Sequence, residues 1–112
     1  MRASLLLLAT GSAALLTSTA RAECDPHVVT SPTHFPLMAQ TRGEQGTVLL
    51  EVKVDESGRV SETQLLRSSG YERLDRVASL SARNRWVFDV TGCERKDLPA
   101  TDVVAVEFRI GP

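Results

Sequence analysis

Apolar and polar residues alternate over Thr47 to Val54: Val48, Leu50, Val52 and Val54 fall on one face, with Thr47, Glu51 and Lys53 on the other. A period of two is the mark of a strand with one buried and one wet face. Asp55-Glu56-Ser57-Gly58 supplies residues that turn the chain, and Arg59 to Arg67 reads as a returning strand, so the two form an antiparallel hairpin. Alternation resumes over Val103 to Ile110, with Val104, Val106, Phe108 and Ile110 inward and Ala105, Glu107 and Arg109 outward. Gly111-Pro112 follows, and proline cannot extend a ladder.

The spacing changes between the hairpin and the last strand. Leu74, Val77, Ala78, Ser81 and Arg85 recur at helical intervals, predicting a helix from about Tyr71 to Arg85 whose small Ala78 and Ser81 let it lie close to the sheet. Ser68 or Ser69 is the expected cap, and Glu72 and Asp75 put negative charge in the first turn, where it suits the helix dipole. Trp86 and Phe88 enter the core as the chain leaves the helix, and Thr91 to Asp102 reads as a polar loop. Upstream, Pro36 to Gly43 predicts a short helix, with proline in its first turn and glycine at its stop. The order helix, strand, strand, helix, strand predicts an α+β fold. A three-stranded, antiparallel-type sheet with strand order 2-1-3 carries both helices on one face, so strands two and three are edges.

The N-terminus has a different build. Arg2 precedes an apolar run from Ala3 to Leu16, and Ala20-Arg21-Ala22 resembles an Ala-x-Ala cleavage site, so residues 1–22 read as a secretory signal peptide cut between Ala22 and Glu23. The run is shorter than the roughly 20 apolar residues of a membrane span and is interrupted by Thr10, Gly11 and Ser12. The mature chain is therefore expected to be periplasmic, with no membrane span. Residues 23–34, containing Pro26 and Pro32 and no periodicity, read as an extended arm, and 35–112 as the folded domain.

Removing Arg2 and Arg21 from 13 basic residues leaves 11, against 14 acidic ones. The remaining cations are scattered and not interleaved with aromatics, which argues against nucleic-acid binding. Cys24 and Cys93, an even count in an exported chain, read as a structural disulfide; metal sites need more ligands than two distant thiols.

Catalytic candidates are few. His27 and His34 lie in the arm, Ser68-Ser69-Gly70 lacks a surrounding Gly-x-Ser-x-Gly, and Trp86 and Phe88 suit a core better than a ligand platform. No catalytic residue, cofactor or metal is assigned, and the expectation is a non-enzyme.

Phe35-Pro36 followed by Ala39 and Gly43, Gly46-Thr47-Val48, Val52 and Val54, Gly58-Arg59-Val60, Ser68-Ser69-Gly70, Leu74-Asp75 and Trp86-x-Phe88 with a late Val-x-Phe strand together resemble the TonB C-terminal domain family. Two positions depart from the family pattern: Phe35 replaces the usual tyrosine, and Val90 stands where a proline often follows. The resemblance implies the fold derived above. It also implies a module linked to TonB-type transmembrane transport, which grips a segment of an outer-membrane receptor or other envelope protein as an added strand.

The edge the family usually offers maps to Val103, Val104, Ala105, Val106, Glu107, Phe108, Arg109 and Ile110. The arm between Glu23 and Phe35 reaches roughly 40 Å even as polyproline II, which predicts a binding module without the anchor and proline-rich spacer of an energy transducer. The alternative is an envelope structural or assembly protein that homodimerises through the same edge, because unprotected edges also pair with themselves.

Overall fold

A computed structural model describes residues 24–111 of the chain. The expected signal peptide lies outside the described residues. The elements are β1 (His27–Thr30), α1 (Leu37–Thr41), β2 (Gly46–Val54), β3 (Val60–Arg67), α2 (Glu72–Arg85), β4 (Val87–Asp89), a 3-10 turn (Arg95–Asp97) and β5 (Ala100–Phe108). The fold is α+β, with two helices and antiparallel sheets.

The alternation of β2 determines the centre of the molecule. Val48, Leu50, Val52 and Val54 have no solvent exposure, and β2 is the middle strand of a sheet ordered β3-β2-β5, antiparallel to both neighbours. Helix α2 packs on β3 and β2 through Leu74, Ala78, Ser81 and Ala82. Arg85, expected on this stripe, is exposed and the buried place belongs to Ala82. The stripe drifts round the helix at 3.6 residues per turn, and a cation at the last turn is favoured by the helix dipole.

The entry to α2 also differs from expectation. Neither Ser68 nor Ser69 caps the helix: Tyr71 holds the N-cap position without a side-chain hydrogen bond. Instead Asp75, one turn inside, reaches back and accepts from the Ser69 N–H (2.9 Å), the Ser69 hydroxyl (2.8 Å) and the Ser68 hydroxyl. Burial pushes the Asp75 carboxyl up, but the two serine hydroxyls and the Ser69 N–H outweigh it and hold the group below its ordinary range.

The β2–β3 turn is built on Asp55, which accepts from the Ser57 hydroxyl (2.7 Å) and from the N–H groups of Ser57 (2.9 Å) and Arg59 (3.0 Å). The Ser57 hydroxyl is the main cause of a lowered Asp55 carboxyl, with the two N–H groups adding to it against the effect of burial. Gly58 turns the chain at φ +82° and lies so close to β4 that a Cβ would sit 2.4 Å from the Phe88 carbonyl oxygen. The Phe88 N–H donates to the Gly58 carbonyl at 2.8 Å. Both the positive φ and the close approach require glycine.

A second sheet was not anticipated. The arm carries β1, which pairs antiparallel with β4 through His27↔Asp89, Val28↔Phe88 and Thr30↔Val87, with a bulge between Val28 and Thr30. All four β1 residues are exposed, so they show no alternation for a pattern to detect. Cys24 and Cys93 are joined in a disulfide, with Cα atoms 4.4 Å apart. The expected polar loop over Thr91 to Asp102 contains the 3-10 turn and also the first three residues of β5.

Candidate partner-binding edge

Among the described residues, strand β5 has a single neighbour. Its nine residues pair with β2 from Val54↔Ala100 to Gly46↔Phe108 without a register shift, which leaves its other side with a row of backbone groups unpaired within the sheet. The opposite edge, β3, is less regular: its register against β2 shifts between Leu49 and Leu50 and again between Lys53 and Val54. Bulges of this kind twist an edge and blunt it against added strands.

Of the residues anticipated for the edge, Val103, Val104, Ala105, Val106, Glu107 and Phe108 lie on β5. Arg109 and Ile110 lie beyond it, and the strand starts earlier, at Ala100. Ile110 does not point inward as expected but is 38% exposed. Its N–H leaves the ladder and donates to Gln45 Oε1 at 2.9 Å, and Arg109 pairs with Glu107.

Within the strand, Phe108 is buried, Val104 and Val106 are half-buried against the core, and Thr101, Val103, Ala105 and Glu107 are exposed. Phe35 meets Phe108 edge-on, with centroids 5.3 Å apart and planes at 62°. The Phe35-Pro36 pair thus anchors the end of the arm against the end of β5.

The other candidates are scattered. His34 is exposed; His27 Nε2 lies 3.7 Å from Asp89 on the surface. Asp89 accepts from the Thr91 hydroxyl and N–H, which hold its carboxyl below the ordinary range with a smaller contribution from His27. Trp86 is fully buried and donates through Nε1 to the Thr33 hydroxyl at 3.2 Å. Sequence reasoning missed this contact and the pairing of buried Glu44 with Arg73 Nε at 3.2 Å; both join residues far apart in the chain, where spacing carries no signal. Among the described residues no group of three or more His, Cys, Asp or Glu could hold a metal ion, and no helix is long and apolar enough to cross a membrane.

Comparison with known proteins agrees with this architecture. Residues 31–110 match the family described as the Gram-negative bacterial TonB protein C-terminal. The chain is 50% identical over 54 residues to the protein named tonB2 of Pseudomonas aeruginosa, covering 48% of this chain and 20% of that protein. It is 44% identical over 54 residues to protein TonB of Vibrio cholerae, covering 48% of this chain and 22% of the relative. The match therefore spans about a fifth of the length of these relatives. The solution structure of the Pseudomonas aeruginosa TonB C-terminal domain superimposes with a TM-score of 0.57 at 23% identity, covering 79% of this chain and 89% of that one, and shows a shared fold. With a pattern, a topology and a family match extending over most of its length, the chain belongs to the TonB C-terminal domain family.

Proposed function

We propose that this chain is a non-catalytic, periplasmic protein-binding module linked to TonB-type transmembrane transport, and that it takes up an extended segment of an outer-membrane receptor or other envelope protein as an added strand beside β5. The observation that carries this reading is the unbroken nine-residue edge of β5, regular where β3 is interrupted. A strand added there gains main-chain hydrogen bonds that do not depend on sequence. Every second side chain of the added strand would extend the half-buried row of Val104 and Val106, and this row supplies selectivity. An envelope location is consistent with a disulfide-bonded chain and with the leader expected from residues 1–22.

The test uses two adjacent proline variants. Backbone N–H groups point alternately to the two sides of a strand, so one of Val104→Pro and Ala105→Pro breaks a bond to β2, while the other removes a donor from the open side. Capture of an envelope protein from an extract, followed by cross-linking to β5, should be lost in the variant that keeps its native circular dichroism. Undiminished capture by that variant overturns the reading. Concentration-dependent dimerisation in sedimentation, lost in the same variant without any captured protein, identifies the homodimer alternative.

A further inference from the structure

The arm is held by few contacts and by one covalent bond. Of residues 24–34 only Pro26 is buried, and β1 pairs with β4 across three positions interrupted by a bulge. A two-stranded ribbon of this size is marginal by itself. The apolar core is formed without the arm, by Ala39 together with residues of β2, β3, α2, β4 and β5 and by Trp86. Yet the arm crosses an important place: Thr33 accepts from Trp86, Phe35 closes on Phe108, and β1 fills the edge of β4 that faces away from the Gly58 turn. Cys24 precedes β1 and Cys93 follows β4, and because His27 lies opposite Asp89 the disulfide clamps the two antiparallel strands together at one end of this ribbon. Both cysteines are partly exposed.

We infer that the Cys24–Cys93 disulfide is a redox latch, which when closed keeps the arm over Trp86 and fills the β4 edge with β1, and when reduced releases the arm while β2, β3, β5 and α2 stay folded. The opening reaction is thiol–disulfide exchange with a dithiol. One reductant thiolate attacks a sulfur of the bond, forming a mixed disulfide and expelling the other cysteine as a thiolate, which takes up a proton. The second reductant thiol then closes the reductant's own disulfide and frees the remaining cysteine, so two electrons and two protons pass to the protein. Closure runs the exchange in reverse with an oxidised dithiol. This inference does not depend on what binds β5.

Trp86 is the single tryptophan of the chain and reports the state of the latch. Reduction of the full chain with dithiothreitol should shift tryptophan emission to the red and increase its quenching by acrylamide, with helical circular dichroism retained and the emission restored on reoxidation. A Cys24→Ser/Cys93→Ser double variant should show the same emission without reductant. Unchanged emission when both thiols titrate overturns the latch. Loss of helical dichroism together with the emission shift also overturns it, because the bond would then hold the whole fold and not the arm.

Discussion

Asp75 ties down the chain that leads into α2, where a capping serine would tie the helix's own first N–H groups. Its carboxylate collects three donors from Ser68 and Ser69 and so fixes the chain between β3 and α2. A carboxyl lowered in the fold is stabilising when charged: the contribution is present above its unfolded value, near 3.8, and is lost as the pH falls through the lower folded value. Asp75→Asn should cost about 1 kcal/mol at neutral pH, the scale of a charge-assisted hydrogen-bond set discounted for partial exposure. The difference from the parent should shrink as the pH falls below the ordinary carboxylate value. Urea denaturation at several pH values checks this, and a pH-independent difference would assign the effect to shape alone.

At the scale of elements, helix α2 approaches the sheet on small side chains. Ala78 and Ala82 have no exposure and Ser81 very little, so Ala78→Leu would force extra volume between α2 and the β2–β3 pair. Overpacking of this kind costs about 1–3 kcal/mol, and a lowered midpoint with unchanged slope in chemical denaturation is the expected result.

What could be read from the sequence follows the same physics. Strand β2 was legible because its buried face is entirely apolar and its other face is not, and the small residues of α2 were legible because a helix needs them to lie close. Strands β1 and β4 were not legible, at four and three residues. The first is exposed along its length, and so nothing in its composition records the pairing. The start of β5 was missed for a related reason: Ala100, Thr101 and Asp102 are one small and two polar residues directly after Pro99, and they read as loop. The edge at Val103 to Phe108 was visible as alternation, whereas Arg109 and Ile110 continue the pattern in sequence but leave the ladder in space.

At the scale of the molecule, the disulfide closes a loop with a sequence separation of 69. In the chain-entropy picture such a crosslink removes about 4 kcal/mol of unfolded-state freedom, against a total stability of about 5–15 kcal/mol for a folded domain. Urea denaturation with and without dithiothreitol should therefore show a loss of that order. Coincident curves would mean that the released arm gains as much freedom in the folded chain as the unfolded chain gains, so that the bond has no net effect on stability.

The unbroken β2–β5 ladder also has a consequence for the order in which the fold is completed. Its partners are separated by almost the whole domain, with Gly46 meeting Phe108, whereas β3 follows β2 through a tight turn. The hairpin can close as soon as it exists, but one side of the most deeply buried strand waits until the last strand arrives. During that interval β2 presents an open row of backbone groups beside its apolar face, and any extended chain nearby competes with β5 for it.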